Sequence, residues 1–136
     1  MPYPHIEAAL DKLLDQYSRL KSPGKYYAHG GLPFAVHYPG MDTFIPTMSL
    51  IYLVSILDDA FEEYIQTNAY GPASQLCQRI ELLHKHSLLR NPARLHIIRK
   101  LRNDCAHDPN RFIKWEEFEG CYDDTRNELR HLGIVV

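Results

Sequence analysis

The stretch from Thr43 to Asn68 limits what this chain can fold into more than any other. Phe44, Ile45, Met48, Leu50, Ile51, Leu53, Val54, Ile56 and Leu57 surround a helix on nearly every side, and a helix that is apolar all round has to be buried. Thr43 is placed to act as N-cap, Pro46 is tolerated in the first turn, and Gly71-Pro72 follows as a stop. The second half turns acidic with Asp58, Asp59, Glu62 and Glu63. One such helix needs cover, so the rest of the chain must supply apolar faces to pack on it.

Those faces are legible. From about residue 5 to 20, Ile6, Ala9, Leu10, Leu13, Leu14 and Tyr17 recur at helical spacing, ended by Ser22-Pro23-Gly24. A third helix, about 73 to 89, is expected to bury Leu76, Ile80, Leu83 and Leu88. Asn91-Pro92 reads as an N-cap with proline at the first helical position, opening a fourth helix with Leu95, Ile98, Leu101 and Cys105 on one face. A fifth, about 114 to 131, packs Trp115, Phe118, Tyr122 and Leu129 before Gly133. Between the first two helices lies an aromatic segment with Tyr26, Tyr27, His29, Phe34, His37 and Tyr38, where Gly30-Gly31 suits the turn of a small hairpin. The expected fold is all-α: an up-and-down bundle of four to five helices, with a small hairpin or ordered loop at 24–42. A chain of 136 residues without repeats or linkers reads as a single domain, 1–136, with a real core.

The formal charge is −2 and the pI about 6.4, which weighs against tight binding of duplex nucleic acid. Cys77, Cys105 and Cys121 are odd in number and lack a CxxC pattern, so free thiols in a reducing compartment are expected. Met1-Pro2-Tyr3-Pro4-His5 lacks the build of a signal peptide, and the longest apolar run, Leu50 to Leu57 broken by Ser55, is short for a bilayer span. The reading is a cytoplasmic protein with no membrane association. His84, His86 and His96 do not show convergent metal-ligand spacing, so neither a metal nor another cofactor is expected.

Six residues at the end of the fourth helix carry the chemistry: Arg102-Asn103-Asp104-Cys105-Ala106-His107. Asn103 and His107 stand four apart and share a face, with Arg102 beside them. Arginine is suited to clamping phosphate, and histidine moves protons near neutral pH. Asp108-Pro109 closes the helix, leaving His107 at its edge. The apolar stripe claims Leu95, Ile98, Leu101 and Cys105, so Arg99, Arg102 and Asn103 are expected to face solvent or a partner.

An Arg-Asn followed after three residues by His, near the end of the penultimate helix of a small all-α bundle, resembles the HEPN superfamily. The resemblance rests on Arg102, Asn103 and His107, with Leu101 and Asp108-Pro109 as familiar flanks. It implies a metal-independent endoribonuclease acting on single-stranded RNA, or an RNA-binding relative, with the site built by a homodimer across a two-fold axis. His107 would serve as general base or acid, Arg102 would stabilise charge on the phosphate, and Asn103 would orient imidazole or phosphate. Products would carry a 2′,3′-cyclic phosphate and a 5′-hydroxyl. A toxin or defence role is implied, with an antitoxin or activator protein as partner. One toxin branch carries a modified tyrosine two residues after the His; here Pro109 stands there, which speaks against that scheme. An acidic residue of the second helix often faces the motif in the family, and Asp58, Asp59 and Glu62 are the candidates. On the residues alone, Arg90, Arg94, Arg99 and Lys100 either extend a track for RNA phosphates beside Arg102 or are ordinary solvated positions of the fourth helix.

Blander readings stand beside these. A helix-terminal Arg and His also complement the helix dipole, and the acidic set also serves as a solvated face. The aromatics of 26–38 stack on bases or pack the loop down. Two other functions fit the same residues: a non-catalytic HEPN-like domain that binds RNA or nucleotide or regulates a partner, and a helical interaction module with a structural motif.

Overall fold

The computed structural model describes residues 3–21, 26–27, 33–34 and 42–136. Within them the chain forms α1 (Pro4–Lys21), a two-residue pair β1 (Tyr26–Tyr27) and β2 (Pro33–Phe34), α2 (Phe44–Thr67), α3 (Leu76–Lys85), α4 (Pro92–His107) and α5 (Trp115–His131). The all-α bundle expected from the periodicity is what forms. The two short strands pair antiparallel with Tyr26 opposite Phe34. The Gly30-Gly31 turn, together with His29, His37 and Tyr38, lies outside the described residues.

The direction of each helix follows from its side-chain contacts. His5 at the start of α1 meets Glu63 near the end of α2 at 2.5 Å, so these helices are antiparallel. Arg126 of α5 reaches Asp11 at 2.9 Å while Tyr17 stacks on Trp115, so α5 runs against α1. Glu128 of α5 meets Arg90 and Asn91 just before α4, and Ile113, just past α4, donates its N–H to Thr47 Oγ1 at 3.0 Å. The end of α4 therefore returns to the start of α2. Four long helices alternate up and down, and the ten-residue α3 joins the end of α2 to the start of α4.

The core sits around α2, which packs on each of the other four helices. Leu50, Leu53, Val54, Leu57, Ala60 and Phe61 from α2 are fully enclosed with Leu10, Ile80, Leu83, Leu95, Ile98, Ile113, Phe118 and Leu129. Each large aliphatic or aromatic side chain so buried favours folding by about 1.5–3 kcal/mol. Over its whole length α2 is long and apolar enough to cross a membrane, a property that the run from Leu50 to Leu57 does not reveal. Half of that apolar window is enclosed by the other helices, as in the central helix of a bundle.

Burial of α2 is not all round, however. Phe44 is 51% exposed, Met48 46% and Tyr52 48%. At i, i+4 and i+8 these form one stripe on one face. Leu14 of α1 is also exposed, and Leu89 takes the buried place expected for Leu88, which is only partly covered.

The helix ends show which local signals act. Asn91 caps α4 as expected, its side chain accepting the Arg94 N–H at 3.1 Å. Gly133, at φ +78°, closes α5: its N–H bonds to Arg130 O and that of Ile134 to Leu129 O, the Schellman pattern. Thr43 does not cap α2 through its side chain. Instead Thr47 Oγ1 bonds back to Thr43 O at 2.7 Å. α2 ends at Thr67 with Asn68 as its C-cap, as expected, whereas α3 stops short of its expected end. Ala69 (φ +55°) and Ser87 (φ +57°) take the left-handed position in the same double-bonded pattern, so α2 ends before Gly71-Pro72 and α3 well before Leu89.

Candidate functional site

The last turn of α4 is held from beneath by its apolar stripe. Leu95 and Ile98 are fully buried and Cys105 nearly so, while Leu101 is partly covered. With that face committed, Asn103 and His107 turn into an open cleft of about 380 Å³ lined by Asn103, Asp104, His107, Asp108 and Arg111. They lie about 40° apart around the helix, whereas Arg102 lies about 140° from His107. Arg102 is half-buried and does not line this cleft. The structure thus brings Asn103 and His107 together and sets Arg102 on the adjoining flank.

The three motif residues share one property. Among the described residues, none of their side chains forms a hydrogen bond or an ion pair within the chain. Most other arginines are engaged: Arg79 with Asp58, Arg94 with Asp124, Arg126 with Asp11 and Tyr122, Arg19 with Asp15, Arg130 with Asn127. Arg99 meets His96 at 3.4 Å, and Arg111 donates to the neighbouring carbonyl of Phe112. Only Arg90 and Arg102 have guanidinium groups without a partner among the described residues.

Several expected contributors are occupied elsewhere. Asp58 Oδ1 accepts from Arg79 Nη1 at 2.5 Å, and Glu62 lies 3.8 Å from the same guanidinium. Arg79 is buried on α3, so its charge draws these carboxylates toward α3. Asp58 also stands about three helical turns along α2 from Thr47, the point to which the end of α4 returns. Neither Asp58, Asp59 nor Glu62 lines the His107 cleft; Asp59 is exposed. The expected acidic support from α2 is therefore not what this chain arranges around His107. Arg94, assigned to an RNA track, instead ties α4 to α5: its Nε donates to Asp124 Oδ2 at 2.6 Å. Arg99 is half-buried, and Lys100 is exposed without a partner among the described residues.

Two residues that helical spacing missed belong to the cleft. Asp104 lines it from α4, and Arg111 arrives from the following turn. That turn is built by Asp108-Pro109-Asn110: the Arg111 N–H bonds to Asp108 O at 3.1 Å and the Asn110 N–H to Asp108 Oδ1 at 2.9 Å. Asp followed by Pro is a recognised opening for a β-turn, so the signal was present. Reading those residues only as a helix stop hid the return of the chain.

Cys105 sits beneath the cleft, and burial pushes its thiol above the ordinary value against a smaller opposing influence of Arg111. It is a packed thiol, not a nucleophile. His96 is paired with Glu81 at 2.6 Å, and His84 and His86 are exposed. Among the described residues no group of His, Cys, Asp and Glu is arranged to hold a metal ion.

Comparison with family models, with characterised proteins and with solved structures finds no match for this chain. Any functional reading therefore rests on the residues themselves.

Proposed function

We propose that this protein is a metal-independent endoribonuclease of the HEPN type that cleaves single-stranded RNA in the cytoplasm, in a toxin or defence role. The observation that carries the reading is the state of Arg102, Asn103 and His107. A cation, an amide and an imidazole stand at one helix end with no partner among the described residues, in a protein that engages most of its other arginines. Side chains left unengaged at a cleft edge are available to a ligand, and these three suit a phosphodiester.

In the proposed reaction the RNA 2′-oxygen attacks phosphorus while its proton passes to a neutral imidazole. The bond from phosphorus to the 5′-oxygen breaks, and that oxygen takes a proton from an imidazolium. Arg102, which does not line the His107 cleft of its own chain, would stabilise the added charge on the phosphoryl oxygens from the facing copy of a homodimer, and Asn103 orients His107 or a phosphate oxygen. One chain presents one imidazole in the cleft, and the base and acid are then the two copies of His107 in a homodimer. The exposed stripe Phe44, Met48 and Tyr52 supports such pairing, because it adjoins Phe112 where Ile113 bonds to Thr47. An exposed apolar helix face is surface that a two-fold interface would cover.

A second reading draws on Asp104 and Asp108, whose carboxylates lie in the same cleft and repel phosphate. It makes the domain a non-catalytic RNA- or nucleotide-binding or regulatory module. The deciding experiment is cleavage of a labelled single-stranded RNA in excess EDTA by the wild type, Arg102→Ala and His107→Ala. Metal-free cleavage to 2′,3′-cyclic phosphate ends, lost in both variants, supports the nuclease. RNA that is shifted on a gel but left intact supports the second reading. Cleavage abolished by the chelator overturns the mechanism.

A further inference from the structure

The motif's arginine and its histidine point to different sides of α4, so the His107 cleft needs another group to hold an anionic substrate in the same chain. We infer that Arg111 is the residue that binds a substrate phosphate in the His107 cleft, working on the face that Arg102 does not reach. The inference rests on the nuclease reading and extends it to a residue outside the Arg-Asn-x3-His pattern.

Three observations carry it. Arg111 lines the cleft together with Asn103 and His107, and Arg102 does not. The Asp108–Arg111 turn is fixed by two hydrogen bonds, so the side chain starts from a defined point rather than from a loose loop. Its guanidinium makes no ion pair among the described residues and donates at 3.3 Å to the adjacent Phe112 carbonyl, which leaves most of its five N–H groups open. Asp104 and Asp108 face the same space, and Asp108 is already engaged by the Asn110 N–H. An arginine beside two carboxylates also lowers the repulsion they exert on an entering phosphate.

The test compares full-length wild type with Arg111→Ala, Arg111→Lys and, as a control remote from the cleft, Arg19→Ala. Cleavage of single-stranded RNA is followed across a salt series, and binding of a 2′-O-methyl oligonucleotide that resists cleavage is followed by fluorescence anisotropy. The expected result for Arg111→Ala is a KM and a Kd raised about tenfold, kcat within about twofold, and a log–log salt slope shallower by about 0.7, the value for one lost phosphate contact on a single strand. Arg111→Lys restores the slope, because the charge is kept, and Arg19→Ala matches the wild type. A wild type that cleaves RNA while Arg111→Ala keeps its KM, Kd and salt slope overturns the Arg111 assignment alone. A wild type that neither cleaves nor binds RNA overturns the nuclease reading and this inference with it. Arg111 is exposed, and matching thermal unfolding of variant and wild type establishes that the comparison is between folded proteins.

Discussion

The two ends of α4 carry similar side chains and use them in opposite ways. At the start, polar groups are tied into the fold. Glu128, only 5% exposed, accepts the backbone N–H groups of Arg90 and Asn91 at 3.1 and 2.7 Å. Asn91 caps the helix, and Arg94 locks onto Asp124 while its guanidinium lies 3.9 Å from Cys121 Sγ. At the end, Arg102, Asn103 and His107 have no partner among the described residues, while the turn that returns Arg111 to the cleft is held by its own hydrogen bonds. The fold engages Glu128, Asn91 and Arg94 at one end of α4 and, among the described residues, leaves Arg102, Asn103 and His107 unengaged at the other.

This contrast is easiest to break at its functional side. His107→Ala is expected to lower RNA cleavage by about 10²–10⁴-fold, the range for loss of a general acid or base, with the unfolding midpoint unchanged. The check is initial-rate kinetics beside a urea titration. Equal loss of activity and stability would make His107 a structural residue. The opposite pattern is expected from Glu128→Ala. Removing a buried carboxylate that accepts two N–H groups is expected to cost about 2–3 kcal/mol in urea unfolding, while the protein that remains folded keeps its cleavage rate.

Smaller effects sharpen the same boundary. Asn91→Ala removes the cap and is expected to lower stability by about 1 kcal/mol, again without effect on kcat. Arg102→Ala and Asn103→Ala are expected to shift stability by less than about 0.5 kcal/mol, as for residues without structural partners. A larger loss measured by urea unfolding would place them among the fold's own contacts.

The two buried thiols, Cys105 on α4 and Cys121 on α5, give a pH test of the same contrast, with the smallest expected effect. Burial raises Cys105, under the cleft, and Cys121, beside Arg94, above their ordinary value. The folded chain therefore holds these protons more tightly than the unfolded chain. The stabilisation is complete below the ordinary thiol pKa of about 8.5 and is lost as pH rises through the raised folded values. Urea midpoints measured from pH 7 to pH 10 are expected to fall at the alkaline end, and the fall is expected to shrink in Cys105→Ala and Cys121→Ala. At pH 8, disulfide-exchange reagents are expected to label the more accessible Cys77 first.

Much of the bundle was open to reading from the chain because helical spacing and cap chemistry are local. Asn91-Pro92 and Gly133 act where their residue types say they should, and Leu95, Ile98 and Cys105 take the buried face. The stops at Ala69 and Ser87 were not open to reading. Each places a Cβ in a left-handed conformation that its residue type disfavours, so residue type alone does not point to it. The stripe Phe44, Met48 and Tyr52 was hidden for a similar reason: apolar composition says that a helix seeks cover, not which side the other helices leave bare.

The site divides along the same line. Spacing alone put Asn103 and His107 on one face, since four residues bring a helix nearly full circle, and it made His107 the last residue before a helix-breaking Asp-Pro. Spacing could not bring in Arg111, which lies beyond that break, or send Asp58 and Glu62 to Arg79 and Arg94 to Asp124. Those outcomes depend on which helices lie side by side, because a charge pairs with whatever opposite charge packing carries within reach, however distant it is along the chain.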